Sequence, residues 1–187
     1  MEKLTVKEMM VPLSRYATVS EDATLGEAVK TLKQAQKDFD HTRDKHRAIL
    51  ITDRNNNIVG KLSQLDVIKA LEPKYVKLDD RKQLSRFGFS KDYMKAILKE
   101  HQLWDKSMDR ICEKASTVIV KTIMYTPTDG EYVKEDTTLE EAIHQLIMGR
   151  HQSLLVTHNK GIVGILRLTD VFREIANRIS ACSENKK

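Results

Sequence analysis

An internal repeat constrains this chain more than any other feature of its sequence. One stretch runs from VKEMM to IVGKLSQLDVIKAL, and a second runs from VKTIM to IVGILRLTDVFREI with matching apolar and polar positions. Val6 corresponds to Val120 (offset 120 − 6 = 114) and Gly60 to Gly164 (offset 164 − 60 = 104), so the first copy is longer between these points. A unit of this size buries little apolar surface alone. We therefore predict two similar halves packed as a pseudo-twofold pair.

Each copy predicts the same elements: an extended segment, a helix, two strands and a closing helix. Apolar residues at 25, 28, 29 and 32 form one stripe of a helix, and Thr24 with Glu27 has the spacing of a capping box. Branched residues at 48–52 and 58–62, separated by turn residues, predict a hairpin, and the second copy repeats it. The extra residues of the first copy fall mostly in 36–45, which we predict to be a loop. The predicted fold class is α/β (α+β).

The residues between the two copies have no counterpart in either one. We divide the chain into a first repeat (1–71), a helical insert (72–117) and a second repeat (118–187). Ser90 is predicted to cap a helix whose apolar face continues through Trp104. Either this insert packs against the pair, or Phe87, Phe89 and Trp104 present a surface to a dimer mate or another partner.

Composition indicates a soluble globular protein. Hydrophobic residues make up 40% and charged residues 32% of the 187 residues, and the apolar runs are too short to cross a bilayer. The first ten residues lack the apolar core of a signal peptide, so we predict a cytoplasmic protein without a membrane segment. Cys112 and Cys182 are predicted to be reduced thiols. The net charge of +5 suits phosphates in general.

No pattern of catalytic or metal-binding residues stands out. Both glycine-rich phosphate loops are absent, and Cys112 shows no general base nearby. Glu141 and His144 have the spacing of a carboxylate metal site, but the first copy carries Glu27 and Lys30 at these positions. Basic residues are scattered among acidic ones, which does not favour nucleic-acid binding. We predict that the chain is not an enzyme.

The end of each hairpin carries a spaced motif of glycine, a variable residue and aspartate. It reads GKLSQLD in the first copy, with Gly60, Ser63 and Asp66, and GILRLTD in the second. A Met followed by a Pro-containing linker and an acidic helix start precede both motifs. These residues, over about two-thirds of the chain, resemble the CBS repeat family.

The resemblance implies a disc-like pair of repeats with clefts between the sheets. In that family such clefts often hold AMP, ADP, ATP or S-adenosylmethionine, and many pairs form homodimers. It implies a regulatory module that senses an adenine ligand, requires no cofactor and modulates a partner protein not identified by the sequence. Whether Mg²⁺ accompanies a triphosphate, and whether one or two clefts are filled, is left open. The alternative is a scaffold for interaction or dimerisation that needs no ligand.

The resemblance also assigns roles to residues of the first copy. Asp66 would accept hydrogen bonds from the ribose hydroxyls of a first ligand, and Ser63 would contact a phosphate oxygen. His46 and Arg47 stand where basic residues of this family face the phosphates. An alternative for Ser63, Asp66 and Asp170 is that they cap the closing helices. Gly60 and its counterpart Gly164 are predicted to serve backbone geometry or close packing.

The second copy departs from the family pattern. Asp170 would hold the ribose of a second ligand, but Arg167 stands where Ser or Thr is usual, and Thr169 lies two residues further on. Arg167 could pair with a phosphate, fill the cleft or bind an acidic side chain. His151 is the counterpart of His46, and Gln152 replaces the arginine.

Overall fold

The computed structural model describes residues 4–38, 45–75, 90–105, 108–159 and 161–184, which fall into two halves and an intervening segment. The first half contains α1 (Val6–Met9), β1 (Val11–Pro12), a 3₁₀ turn (Leu13–Arg15), β2 (Thr18–Ser20), α2 (Leu25–Asp38), β3 (Ala48–Thr52), β4 (Ile58–Ser63) and α3 (Gln64–Leu71). The intervening segment contains α4 (Lys91–Glu100) and α5 (Ile111–Thr117). The second half contains 3₁₀ turns (Val120–Thr122 and Asp129–Glu131), β5 (Tyr132–Lys134), α6 (Leu139–Gly149), β6 (Ser153–His158), β7 (Gly161–Arg167) and α7 (Leu168–Glu184).

Each half is built around a mixed sheet. In the first sheet the order is β2–β3–β4, with β2 parallel and β4 antiparallel to the central strand. In the second sheet the order is β1–β7–β6–β5, with the same arrangement of β5, β6 and β7. The predicted α/β pair, with a helix, two strands and a helix in each half, is confirmed.

The two halves exchange their leading segments. Strand β1 of the first half pairs with β7 of the second, where Val11 lies opposite Ile165. At the equivalent place in the other half, Tyr125 pairs with Lys61 of β4. Each segment therefore completes the sheet of the other half rather than its own.

The hydrophobic cores follow the same exchange. Val6 is fully buried among Leu139, Leu154 and other core residues of the second half. Val120 is fully buried in the core of the first half, beside Leu25 and other residues of α2 and its sheet. Because each core lacks a member without the other half's segment, neither half has a complete core by itself.

The exchange requires glycine at the two crossing points. A methyl group on Gly164 would lie 2.7 Å from the carbonyl oxygen of Val11 and 2.7 Å from the sulfur of Met10. A methyl group on Gly60 would lie 2.7 Å from the sulfur of Met124. The prediction that these glycines serve close packing is confirmed.

Side-chain caps fix the start of the first helix in each half. The hydroxyl oxygen of Thr24 accepts a hydrogen bond from the backbone amide of Glu27 at 3.2 Å. The backbone amide of Thr24 in turn donates to the Glu27 carboxylate at 2.7 Å. Thr138 and Glu141 repeat this capping box at the start of α6. Each box satisfies amide groups that a helix start otherwise leaves unpaired.

The structure differs from the sequence prediction at residues 36–38. Helix α2 continues to Asp38, where a loop was predicted, because Gln36 donates from Nε2 to the carbonyl of His46 at 2.5 Å and Gln34 reaches Asp38 at 2.8 Å. Residues 39–44 lie outside the described part of the chain.

The intervening segment packs against the first half. Helix α5 packs on α2, and the two helices come close at Gly26. A methyl group on Gly26 would lie only 2.9 Å from the carbonyl oxygen of Ala115. Ser90 caps α4 as predicted. However, the helix ends at Glu100, because Gln102 and Trp104 adopt positive φ values of 48° and 64°.

Trp104 is tied to the residues that follow α3. Its backbone amide donates to the buried carboxylate of Glu72 at 2.8 Å, and its indole N–H donates to the Tyr75 hydroxyl at 3.1 Å. Phe87 and Phe89, which were predicted with Trp104 to form a partner surface, fall outside the described residues. Among the helices that are described, none has the length and apolar character needed to traverse a bilayer.

Replacing Gly164 with alanine tests the crossing. We expect Gly164→Ala to lower the free energy of unfolding by about 1–3 kcal/mol, because the Val11 carbonyl belongs to a paired strand and cannot move away freely. Gly60→Ala should cost less, since the flexible end of Met124 is the nearest obstacle. The measurement is urea denaturation monitored by circular dichroism.

Gly161→Ala is the matched control, because its nearest atom outside the turn, the His158 carbonyl oxygen, is 3.9 Å away. Equal losses for Gly164→Ala and Gly161→Ala would contradict the close crossing.

Candidate functional site

A cavity of about 460 Å³ lies between the two halves. Its volume falls in the range of small-molecule sites, roughly 300–1,000 Å³. The residues lining it are Tyr16, Lys45, Arg47, Ala48, Lys61, Ser63, Gln64, Leu65, Asp66, Tyr125, Glu131, Arg150, His151, Gln152, Ser153, Arg167 and Thr169. The segment after α5 crosses to the first half. The cavity is therefore lined by β4 and α3 of the first half, by the linker of the second half (the residues between α5 and β5) and by the start of β6.

Most of the site residues predicted from the sequence meet at this cavity. Ser63, Asp66 and Arg47 line it from the first half. They are joined from the second half by three further predicted residues: His151, Arg167 and Thr169. Within the described part of the chain, the other two predicted residues, His46 and Asp170, are not among the lining residues.

Ser63 and Asp66 are held by each other at the start of α3. The amide and the hydroxyl of Ser63 donate to Oδ2 of Asp66 at 2.8 and 2.6 Å, and the amide of Asp66 donates to Oγ of Ser63 at 3.2 Å. The capping role left open by the sequence is therefore observed. Among the described residues no hydrogen bond reaches Oδ1 of Asp66, so a capped carboxylate still has an oxygen available to a ligand.

A polar cluster that the motif did not predict forms another wall of the cavity. Lys61 forms a salt bridge with the buried carboxylate of Glu131, which also accepts the hydroxyl of Tyr125 at 2.5 Å. The ammonium group of Lys61 lies 5.1 Å from the centre of the Tyr125 ring. Burial by itself would raise the pKa of Glu131, but the hydrogen bonds from Lys61, Tyr125 and the Thr128 amide hold that pKa below its usual value.

A signal for this cluster was present in the sequence. The second copy has Ile165 at the position of Lys61, and the first copy has Val11 at the position of Tyr125. A charged and an aromatic residue therefore replace an apolar pair at one of two equivalent crossings. Comparing the copies for such differences would have identified them.

The cavity is electropositive. Of the described residues lining it, five are cationic (Lys45, Arg47, Lys61, Arg150 and Arg167), and two are carboxylates. Two of these cations are already paired with carboxylates, Lys61 with Glu131 and Arg167 with Asp170. Cations concentrated in a cleft with apolar walls attract anionic ligands.

His151 takes its place because the neighbouring Gly149 lacks a side chain. A methyl group on Gly149 would lie 1.9 Å from Nε2 of His151, and one on Gly130 would lie 3.8 Å from the same atom. Glycine at 149 is therefore required for this position of the ring, which is half-buried at the cavity wall.

Asp170 is fully buried and engaged by arginines. Arg167 donates from Nε to Oδ2 at 2.5 Å and from Nη2 to Oδ1 at 2.8 Å, and Arg173 donates to Oδ1 at 2.9 Å. Of the roles left open for Arg167, the structure shows pairing with an acidic side chain. The ribose role of Asp170 stays a prediction.

His46 is also buried, near Arg167 and Asp170, and it lies edge-on to the ring of Tyr16. The two ring centres are 4.2 Å apart, with an angle of 73° between the planes. Burial and the nearby charge of Arg167 lower the pKa of His46 to about 4, although Asp170 opposes this effect. Burial likewise raises the pKa of Tyr16 to about 12.

The buried histidine predicts a dependence of stability on pH. Its folded pKa of about 4 lies below the usual 6.5, so between these values the unfolded chain binds a proton that the folded chain does not. The free energy of unfolding should therefore fall by up to about 3 kcal/mol as the pH drops from 7 towards 4. Urea titrations at several pH values measure it.

His46→Phe removes the titrating group and keeps an aromatic ring beside Tyr16. This variant should lose less stability than the wild type over the same pH range. Parallel curves for the two proteins would contradict a buried neutral His46.

Solved structures share this fold at low sequence identity. CBSX2 from Arabidopsis thaliana is 18% identical with a TM-score of 0.59, covering 96% of this chain and 99% of that one. A putative acetoin utilization protein (AcuB) from Vibrio cholerae is 20% identical with a TM-score of 0.58, covering 100% and 99%. A structure of CBSX2 in complex with AMP is 19% identical with a TM-score of 0.57, covering 95% and 98%.

The family comparison covers both halves of the chain. A search of curated proteins finds no match. The model of the CBS domain matches residues 6–73 and 120–177, which together exceed half of the sequence. Together with the paired halves and the crossing at both glycine motifs, this match shows that the chain belongs to the CBS domain family.

Proposed function

We propose that this protein is a regulatory module that binds an adenine nucleotide in the cavity between its halves. The observation that carries the proposal is the meeting of Ser63 and Asp66 with a cationic lining contributed by both halves. Membership of the CBS domain family supports a regulatory rather than a catalytic role. The AMP complex of CBSX2 supports an adenine nucleotide as the ligand class.

Each part of a nucleotide has a suitable partner in the cavity. The free Oδ1 of Asp66 would accept a ribose hydroxyl, and the helix start at Ser63 would face a phosphate. The phosphates would also meet Arg47 and Arg150, both exposed at the cavity. The exposed ring of Tyr125 offers the base a stacking surface.

A ligand held in this way would join the two halves. Arg47 and Asp66 belong to the first half, whereas Tyr125, Arg150 and His151 belong to the second. Binding would therefore favour the arrangement of the halves that closes these groups around the ligand. The effect on a partner is limited to the difference in ligand affinity between the two arrangements.

AMP, ADP, ATP and S-adenosylmethionine are all candidates, with Mg²⁺ as a companion of ATP. The homodimer is supported by exposed apolar side chains at equivalent positions of α3 and α7, where Ile68 and Phe172 are 51% and 69% exposed. The regulated protein and the cytoplasmic location stay predictions.

A thermal-shift panel with AMP, ADP, ATP and S-adenosylmethionine, and GTP as a specificity control, tests the proposal. A ligand at a hundredfold excess over its dissociation constant should add about 2.7 kcal/mol to folding stability. Asp66→Ala should abolish this gain, because the ribose loses its acceptor. Glu27→Ala, the matched control, removes a similar capping box outside the cavity and should keep the gain.

The absence of a shift with every adenine compound would overturn the proposal and favour a ligand-independent scaffold. Equal losses of the ligand-dependent shift in Asp66→Ala and Glu27→Ala would refute a specific role for Asp66.

Two substitutions of Tyr125 distinguish stacking of its ring on the base from its hydrogen bond to Glu131. We expect Tyr125→Ala to weaken nucleotide binding roughly tenfold, because a base loses its aromatic surface. Tyr125→Phe keeps the ring and should bind within about threefold of the wild type, since only the bond to Glu131 is lost. Isothermal titration calorimetry gives both values, and equal affinities for the wild type and Tyr125→Ala would contradict stacking.

A further inference from the structure

The pseudo-twofold symmetry gives the molecule a second cleft, equivalent to the one at Ser63 and Asp66, and two of its residues, Tyr16 and Arg167, also line the cavity. In the cavity, Ser63 and Asp66 face the linker of the second half. In the second cleft, Arg167 and Asp170 take these two positions and face the linker of the first half. The two clefts can therefore be compared residue by residue.

In the second cleft, the aspartate that would bind a ribose is already hydrogen-bonded to side chains of the protein. Arg167 meets Asp170 through two hydrogen bonds of 2.5 and 2.8 Å, and the side chains are 6% and 0% exposed. Both carboxylate oxygens are used, and Arg173 adds a third bond. In the cavity, Ser63 bonds to one oxygen of Asp66 only. The guanidinium of Arg167 thus stands where ribose hydroxyls would bind.

The base side of the second cleft is filled as well. Tyr16 is 7% exposed and packs against His46, which is 1% exposed. The equivalent residues at the cavity are Gly130, which has no side chain, and His151, which lines open space. A buried tyrosine side chain therefore stands at the second cleft where the other cleft has a glycine.

The residue pairs where the leading segments cross also differ between the two clefts. At the second cleft, Val11 lies opposite Ile165, and both pack with Tyr16 in one apolar cluster. At the cavity the equivalent pair is Tyr125 and Lys61, which line the open volume and bind the carboxylate of Glu131. Three separate pairs of equivalent positions thus close one cleft and open the other.

We propose that the second cleft is occupied by the chain's own side chains, with Arg167 and Tyr16 in place of a nucleotide, so that each chain binds one ligand. This inference rests on the proposed function, because it concerns where the same ligand class binds. The first cleft senses the nucleotide, and the second is a fixed internal contact that holds the halves together.

Binding stoichiometry tests the inference. Equilibrium dialysis with ATP, and with AMP in parallel, should give one bound nucleotide per chain for the wild type. Asp66→Ala should then lose all binding, because no second site is available. The double variant Tyr16→Gly/Arg167→Ser gives the second cleft the glycine and the serine of the first, and Arg173 still partners Asp170. It should bind two nucleotides per chain, or one when combined with Asp66→Ala.

The outcomes distinguish this inference from the proposed function. Two nucleotides bound to the wild type, or one retained by Asp66→Ala, would overturn the inference and leave nucleotide binding intact. No binding to the wild type would overturn the proposed function, and the inference would fall with it unless the double variant gained a site. If circular dichroism shows that the double variant does not fold, the result with Asp66→Ala decides.

Discussion

The crossing of the two leading segments at Gly60 and Gly164 determines how everything else in this molecule is placed. Backbone and methionine side chains from one half pass so close to the other that a methyl group would meet them at 2.7 Å. The segments then deliver Val6 and Val120 to cores that their own halves do not contain. Both cores, both sheets and both clefts are consequently shared products of two halves, and the packing of one half depends on the presence of the other.

The same crossing explains how two related clefts came to differ. Each cleft receives its floor from one half and its linker from the other, so a substitution in a linker changes the opposite half's cleft. Tyr16 in the first linker packs against His46, whereas its equivalent in the second linker, Gly130, has no side chain beside His151. The cationic side chains of Lys45, Arg47 and Arg150 line the open cavity.

The sequence predicted the architecture well and the composition of the clefts less well. Periodicity, capping boxes and turn residues are local signals, and they identified the hairpins, the helix starts at Thr24 and Thr138, and the Ser90 cap. The placement of His46 could not be read from local patterns, because its cleft is set by the exchange of segments. Asp170 was predicted to face a ligand, but its burial depends on Arg167 and Arg173 folding onto it. The end of α4 was also missed, since the positive φ values at Gln102 and Trp104 have no residue-type signal.

The exchange also bears on the origin of the fold. A chain with a single repeat would have no acceptor for its own leading segment, and its core would lack the residue that Val6 or Val120 now supplies. Such an ancestor could have built this core only as a pair of identical chains that traded segments across a twofold axis. Joining the two copies in one polypeptide removed the concentration dependence of that assembly. It also allowed the two clefts, which are identical in a pair of identical chains, to differ in sequence. In a joined chain the two clefts can carry different residues at equivalent positions, as Ser63 and Arg167 do.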